Sequence, residues 1–214
     1  MNNEKRDFNK DAAMWDENPG RVKVVNDIAD TIIKNIKLAK DMDVLDFGCG
    51  TGLLSLRLIP FVRSVTGIDS SVGMLQVFQS KIEKQKLDNV CATLLDIEKG
   101  DVLSGAYNLI ASSMTLHHLK EIQPLLKQFH QILLPSGIAA VADLDLDEGK
   151  FHEDSTGVFH NGFKRDQLRQ EFLEAGFTDI KDLTAAKIAK PIADGTIKEF
   201  SIFLMIGMKS SDKS

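Results

Sequence analysis

One short run constrains the fold more than any other part of the chain. Apolar residues around Asp46 lead into three glycines at alternate positions, Gly48, Gly50 and Gly52, and a helical pattern begins at Leu53. This order predicts a buried strand, a tight turn and the start of a helix. Glycine tolerates positive φ and lets the backbone approach a ligand closely. The start of a helix adds unpaired N–H groups and partial positive charge, so the run predicts a nucleotide-type binding cradle.

The glycine spacing departs from the dinucleotide fingerprint G-x-G-x-x-G/A. The third glycine, Gly52, comes one position early, and Leu53 occupies the fingerprint position. This argues against NAD or FAD. On the other hand, Asp69 follows the glycines by about 20 residues, which suits the ribose of NAD. A NAD-linked oxidoreductase and a non-catalytic nucleotide-binding module therefore remain as alternatives.

The remaining pattern is an alternation of strands and helices. Strands are predicted over 43–47, 64–68, 90–95, 106–112 and 138–142, with helical patterns over 53–61, 71–86 and 122–133 between them. Such alternation is typical of βαβ units in a parallel sheet with helices on both faces. A helix over 165–175 and two strands over 178–190 and 200–208 follow. No helical pattern separates these last two strands, so we expect them to be antiparallel.

The ends of the chain predict accessory segments around one domain. Apolar spacing predicts a helix over 20–38, and a short helix is expected over 10–15. We expect a single domain over 1–214. It would comprise an N-terminal helical lid over 1–40, a cofactor-binding core over 41–145, and a loop, helix and terminal hairpin over 146–214. The long polar connection within 143–162 is expected to be functional or mobile.

Composition narrows the function. The formal net charge of −5 and a pI near 5.5 disfavour a nucleic-acid-binding surface, which should be basic. The two cysteines, Cys49 and Cys91, are too few for a disulfide framework, and we expect no metal site. No run is long and apolar enough to span a membrane, and 1–10 has no apolar signal-peptide core. A cytoplasmic location is expected, whereas the oligomeric state cannot be read.

Polar residues cluster where the predicted strands end. In open α/β sheets, ligands bind beyond the carboxyl ends of the strands. A carboxylate there can accept two hydrogen bonds from vicinal ribose hydroxyls. Besides the glycines, the candidates are Asp69 and Ser70 after the second strand, Asp96 and Ile97 after the third, and Ser112, His117 and His118 after the fourth.

Four motifs together resemble one family. The segment 46–52 resembles motif I of the class I S-adenosylmethionine (SAM) methyltransferases, and 65–71 resembles their motif II. The segment 94–97 resembles motif III, and 107–112 resembles motif IV. Two departures stand out: Asn108 occupies a position that is usually Asp, and Leu134-Pro135-Ser136 replaces the usual Lys- or Arg-Pro-Gly turn.

The resemblance implies a fold, a cofactor and a reaction. The fold would be α/β, a Rossmann-like doubly wound sheet of seven strands in the order 3-2-1-4-5-7-6, with the last strand antiparallel, in three α/β/α layers. The cofactor would be SAM, giving S-adenosylhomocysteine as product, with methyl transfer by in-line displacement to a small-molecule acceptor. The implied cofactor-binding residues are Asp46, Gly48, Cys49, Gly50, Gly52, Asp69, Ser70, Asp96, Ile97 and Ser112.

The reacting groups are less well defined by the sequence. The methyl group of SAM is already activated, so positioning and desolvation are the main tasks of the protein. A hydroxyl or amine acceptor would benefit from a general base, and histidine is the usual choice near neutral pH. His117 and His118 are the catalytic candidates. Contacts with the substrate are expected from Trp15, Arg21, Phe159 and His160.

Overall fold

The computed structural model describes residues 6–211, so the parts of the predicted lid and hairpin that fall in 1–5 and 212–214 lie outside the described residues. The strands are β1 (Asp43–Phe47), β2 (Ser64–Asp69), β3 (Val90–Leu94), β4 (Tyr107–Ser113), β5 (Leu133–Leu144), β6 (Thr178–Pro191) and β7 (Ile197–Met208). The helices are α1 (Pro19–Asn35), α2 (Leu53–Leu58), α3 (Val72–Gln85), α4 (Gln123–Ile132) and α5 (Arg165–Glu174). Short 3-10 helices occupy Ala12–Glu17, Ile59–Phe61, Ile97–Lys99 and Leu116–His118.

The strands form one sheet in the order β3-β2-β1-β4-β5-β7-β6. Neighbours from β3 to β5 pair in parallel, whereas β7 is antiparallel to both β5 and β6. This confirms the predicted order and the antiparallel last strand. The chain leaves β1 toward β2 on one side and reaches β4 on the other. A crevice therefore opens beyond the carboxyl ends of β1 and β4, where ligands bind in such sheets.

Successive strand residues alternate between two apolar layers. In β1, Val44 packs with α1, α2 and α3, whereas Leu45 and Phe47 pack with α4 and α5. In β7, Leu204 and Met205 divide in the same way. This period of two follows from the pleat of a strand buried on both faces. The predicted three-layer α/β/α arrangement is confirmed.

Local sequence explains where two of the helices begin. The side chain of Asn18 accepts the N–H of Arg21 at 3.0 Å, and Pro19 occupies the first turn of α1, where its missing N–H costs nothing. The hydroxyl of Ser71 accepts the N–H of Met74 at 3.2 Å at the start of α3. The Ser71 cap thus starts α3 shortly after β2 ends at Asp69.

The start of β5 differs from the prediction. The strand begins at Leu133 and not at 138, because residues on both sides of the expected turn pair with β4. Tyr107 pairs with Leu133 and Leu109 pairs with Ile138, so the intervening residues of β5 form a bulge. Ser136 has a φ of 62° within it. The predicted turn is thus an irregularity inside a longer strand.

The described part of the chain, residues 6–211, contains no helix with both the length and the apolar character needed to cross a bilayer.

Candidate active site

The glycine turn (residues 48–52) is held against β2. The N–H groups of Gly48 and Cys49 both donate to the carbonyl oxygen of Ile68, at 2.9 and 3.0 Å. Gly48, Gly50 and Gly52 have φ values of 70°, 53° and 80°. Side chains are strained at such angles, so the backbone path itself requires these glycines.

The three glycines nevertheless have different surroundings. A β-carbon at Gly48 would lie 2.3 Å from the side chain of Thr115, and one at Gly52 would lie 2.0 Å from the ring of Phe78. One at Gly50 would meet no atom within 4 Å. Gly48 and Gly52 are therefore needed for packing, whereas Gly50 borders open space that a ligand can approach.

Asp46 is a buried carboxylate behind the turn. Its side chain accepts the hydroxyl of Ser55 at 2.6 Å, and the residue is 1% exposed. The other oxygen, Oδ1, is buried and has no hydrogen-bond partner within the described part of the chain, residues 6–211. Burial raises the pKa of Asp46 to about 7, although the hydrogen bonds from Ser55 oppose this. A cationic group beside Oδ1 would satisfy this acceptor, so the site fits the ammonium group of SAM.

Asp69 joins the glycine turn to α3. Its Oδ2 accepts the N–H of Gly50 and its Oδ1 accepts the N–H of Ser71, both at 2.8 Å. Ser70 lies between Asp69 and Ser71 in the chain, directly after the end of β2. Asp69 thus lies beside Gly50, and its contact with vicinal ribose hydroxyls stays a prediction.

Asp96 organises the loop after β3. Its N–H donates to the carboxylate of Asp101 at 2.8 Å, and its own carboxylate accepts the N–H of Glu98 at 3.2 Å. It caps the short helix that begins at Ile97, and it is 8% exposed. Contact of Asp96 and Ile97 with adenine stays a prediction.

Two further predicted residues lie beneath the turn. The hydroxyl of Ser112 donates to the carbonyl oxygen of Phe47 at 2.9 Å and so joins β4 to β1. Cys49 is buried against β2, where a β-carbon at Gly67 would lie 2.9 Å from its sulfur. Burial raises the pKa of the Cys49 thiol well above its usual value. Both side chains support the turn, and their contact with the cofactor stays a prediction.

His117 and Asp143 form a buried pair at the tips of β4 and β5. Nδ1 of His117 lies 2.6 Å from Oδ1 of Asp143, and the two side chains are 2% and 0% exposed. Oδ1 also accepts the N–H of Leu144 at 2.7 Å. Burial alone would raise the pKa of Asp143, but the charge and hydrogen bonds of His117 hold it below its usual value. This pair is the strongest candidate for a proton acceptor.

His118 and His152 complete a cluster of three imidazoles. The ring of His118 lies 4.1 Å from that of His117, and the ring of His152 lies 4.9 Å from that of His117. Nδ1 of His118 lies 2.7 Å from the carbonyl oxygen of Gly157. Burial and the neighbouring histidines lower the pKa of His118 to about 3, and burial first among several causes lowers that of His152 to about 4.

Across residues 6–211, no group of three or more His, Cys, Asp or Glu side chains is arranged to hold a metal ion.

The N-terminal strap (residues 6–18) crosses the glycine turn and the start of α3. The side chain of Asn9 accepts from the hydroxyl of Ser71 at 3.0 Å and from the N–H of Gly73 at 2.7 Å. Asp16 accepts the hydroxyl of Thr51 at 2.6 Å and pairs with Lys81 at 2.5 Å. The strap is thereby fastened to the loops that follow β1 and β2.

The same strap reaches the histidine cluster. The ring of Phe8 meets that of His118 edge-on at 5.0 Å. The backbone of Arg6 passes so close to Gly157 that a β-carbon there would lie 2.4 Å from the nitrogen of Arg6. Gly157 belongs to the β5–α5 loop (residues 145–164), which covers the cluster from the other side.

The predicted substrate residues fall into two groups. Trp15 and Arg21 lie together, with the guanidinium 4.0 Å from the ring centroid. Phe159 and His160 lie in the β5–α5 loop, where both N–H groups point to the carbonyl oxygen of His117, at 2.9 and 3.3 Å. The loop pair is thus brought to the histidine cluster, whereas Trp15 lies at the strap, 5.8 Å from Phe8.

Sequence reasoning did not identify Phe8, Asn9 and Asp16, which contact the histidine cluster, the start of α3 and the glycine turn. They lie in a polar segment without apolar periodicity, so no pattern marks them. In the sequence, Asp143 can be recognised only as the residue at the end of a strand, because its hydrogen-bond partner His117 is 26 residues away.

Comparison with known proteins finds similarity to methyltransferases. Residues 44–137 match the family model described as a methyltransferase domain. An uncharacterized methyltransferase of Schizosaccharomyces pombe is 34% identical over 146 residues, which cover 62% of this chain and 51% of that protein. A ubiquinone biosynthesis O-methyltransferase of Pelagibacter ubique is 31% identical over 157 residues, covering 64% and 62%. The chain spans about half to three fifths of the length of these relatives.

Solved structures show the same fold. The YcgJ protein of Bacillus subtilis superimposes with a TM-score of 0.74 at 16% identity, covering 87% of this chain and all of that one. A putative methyltransferase of Haloferax volcanii, solved in complex with the Trm112 methyltransferase activator, gives a TM-score of 0.77 at 16% identity, covering 97% and 98%.

Fold, turn and strand-tip carboxylates together define a Rossmann-like methyltransferase domain. The match over residues 44–137 and the order of the sheet together support a class I SAM-dependent methyltransferase. The NAD-linked alternative is thereby set aside.

Proposed function

We propose that this protein transfers a methyl group from SAM to a hydroxyl group of a small-molecule acceptor, with Nε2 of His117 as general base. The observation that carries the proposal is the buried pair of His117 and Asp143, joined at 2.6 Å beside the crevice. When bound, SAM supplies a methyl group on a sulfonium, which the acceptor oxygen takes as the sulfur leaves as a neutral thioether.

The cofactor is held by the residues of the glycine turn. Gly50 borders open space, so the backbone can approach the methionine part of SAM. When SAM is bound, Oδ1 of Asp46 would accept from its ammonium group, and Asp69 would accept from its ribose hydroxyls. The acidic overall charge favours a small acceptor over a nucleic acid.

His117 accepts the proton of the acceptor. Asp143 binds Nδ1–H, which fixes the tautomer whose Nε2 carries a lone pair. As the oxygen forms its new bond to carbon, its proton passes to Nε2, and the carboxylate stabilises the resulting imidazolium. A positioned base of this kind contributes on the order of 10²- to 10⁴-fold. An amine acceptor needs a base only to remove its extra proton before attack, whereas a hydroxyl loses its proton as the new bond forms. The dyad therefore favours a hydroxyl acceptor.

A matched pair of variants tests the base. His117→Asn keeps an amide N–H toward Asp143 but removes Nε2, whereas His117→Gln displaces the amide from that contact. Transfer of labelled methyl from SAM to a small-molecule extract should fall by about 100-fold or more in both. Calorimetric binding of S-adenosylhomocysteine should be unchanged in His117→Asn. Asp69→Ala should instead weaken that binding by about 1–3 kcal/mol.

A remote control separates base loss from instability. His130 lies on α4 and packs against Phe177, away from the cluster, so His130→Asn should retain transfer. Full transfer by His117→Asn would refute the base. Binding of S-adenosylhomocysteine without any methylated product in the extract would favour the non-catalytic module.

A further inference from the structure

Two adjacent histidines at the tip of β4 have the same tautomer. Nδ1 of His117 faces the carboxylate of Asp143 at 2.6 Å, and Nδ1 of His118 faces the carbonyl oxygen of Gly157 at 2.7 Å. Both partners accept hydrogen bonds and cannot donate at these positions, so both Nδ1 atoms carry the proton. In a neutral ring, Nε2 is then an acceptor whose lone pair points away from the Nδ1 partner.

His118 is held in its neutral form by its surroundings. Few titratable groups act on it: His117 on its own short helix, Asp143 at the end of β5 and His152 in the β5–α5 loop. Phe8 from the strap covers it edge-on. Burial and the two neighbouring imidazoles disfavour a second proton on the ring. His118 therefore offers an acceptor and no second donor.

His152 lies beside these two rings. Its Nε2 is buried and has no hydrogen-bond partner among residues 6–211. Its ring lies 4.9 Å from that of His117 and 5.8 Å from that of His118. The nearby cations are engaged elsewhere, since Arg6 pairs with Asp11 and Lys190 donates to the carbonyl oxygen of Phe151. With no free cation beside them in the described part of the chain, His117 and His118 thus present two acceptors at Nε2.

We propose that the methyl acceptor carries two hydroxyl groups on adjacent carbons, one bound to Nε2 of His117 and the other to Nε2 of His118. The proposal rests on the methyl transfer and the base proposed above. The ring centroids are 4.1 Å apart, so one small ligand can reach both nitrogens. A ligand with a single hydroxyl would leave one acceptor unpaired, which is costly beside a buried residue such as His117.

His117 and His118 have different parts in this arrangement. The hydroxyl at His117 gives up its proton and becomes the methyl ether. The hydroxyl at His118 keeps its proton and donates it in a hydrogen bond, which orients the ligand. His118 is therefore a specificity-determining residue, and its loss should raise KM for a diol more than it lowers kcat.

Matched probes test the diol. Catechol and cis-1,2-cyclohexanediol present adjacent hydroxyls, phenol and cyclohexanol present one, resorcinol separates the two, and benzylamine presents an amine. The wild-type protein, saturated with S-adenosylhomocysteine, should bind at least one vicinal diol about 10- to 100-fold more tightly than its single-hydroxyl counterpart. Turnover with SAM should show the same order in kcat/KM.

His118→Asn is the matched variant, because its amide can still donate to Gly157 while Nε2 is lost. The diol preference should fall to within a few-fold of unity, chiefly through KM, while His130→Asn keeps it. Equal binding of diols and single hydroxyls, tighter binding of benzylamine, or no measurable binding of any diol would overturn the proposal. Unaltered extract methylation and S-adenosylhomocysteine binding alongside such a result would leave the proposed function standing.

Discussion

At the residue scale, the glycines of the turn meet two different requirements: one needs tight packing in the core, and the other needs open space for a ligand. Gly52 has a φ of 80° and faces Phe78, which is 0% exposed in the core. Gly50 has a φ of 53° and faces open space. The same residue type therefore preserves the core at one position and leaves room for the ligand at the other.

This division predicts opposite consequences of the same substitution. Gly50→Ala should cost about 1–2 kcal/mol of unfolding free energy from backbone strain alone, yet abolish S-adenosylhomocysteine binding because the methyl group enters the open space. Gly52→Ala adds overpacking against Phe78 to that strain, for a total of about 2–5 kcal/mol. Urea unfolding and calorimetry measure both quantities.

A second substitution supplies the control for Gly52. If contact with the ring is the cause, Phe78→Leu in the Gly52→Ala background should recover part of the lost stability. Equal destabilisation by the two alanine variants, or unchanged ligand binding in Gly50→Ala, would contradict the division.

At the scale of elements, the sequence predicts what periodicity and local chemistry encode. β1 was predicted with its observed bounds, because buried apolar residues run directly into glycines. The start of β5 was wrong, because the bulge near Ser136 depends on pairing with β4. The positions of Phe8 and His152 follow from tertiary contacts of irregular segments, which have no period to detect. The pairing of His117 with Asp143 likewise requires β4 and β5 to be neighbours.

We propose that the N-terminal strap is the lid expected from the sequence, and that Asp16 is one of its fastenings. Asp16→Ala removes both the bond from Thr51 and the ion pair with Lys81. Partly exposed pairs of this kind contribute about 1 kcal/mol, so release of S-adenosylhomocysteine should become roughly fivefold faster. Stopped-flow dissociation measures the rate, and hydrogen exchange over 6–18 should increase.

Asp27→Ala provides the comparison, since Asp27 pairs with Lys23 on the exposed side of α1. It should leave both the release rate and the exchange of 6–18 unchanged. Equal effects of the two variants would show that the strap does not retain the ligand through Asp16.

At the scale of the whole molecule, the sheet gathers the site on one edge. Asp69 and Asp143 lie at the carboxyl ends of β2 and β5, and the glycine turn and His117 come after β1 and β4. All four carboxyl ends lie on that edge. The antiparallel β7 closes the other side of β5 without adding a strand tip there. The strap and the β5–α5 loop cover this edge and bury its histidines. Burial disfavours the protonated imidazole, so the stability of the whole fold depends on pH.

His118 makes this linkage measurable. Its pKa falls from an ordinary 6.5 to about 3 in the fold, through burial first and then the neighbouring His117. Between these values the unfolded chain binds a proton that the folded chain does not. This group therefore reduces stability as the pH falls below 6.5, by up to about 1.4 kcal/mol per pH unit, and has no such effect above it.

His118→Asn cannot take up that proton. Relative to the variant, the wild-type protein should lose unfolding free energy steadily from pH 6.5 down toward pH 4, while the difference between them stays constant above pH 7.5. Chemical unfolding at a series of pH values measures both curves, and the flat region above pH 7.5 serves as the internal reference. Parallel curves below pH 6.5 would mean that His118 titrates alike in both states, because the strap and loop then do not keep the ring from water.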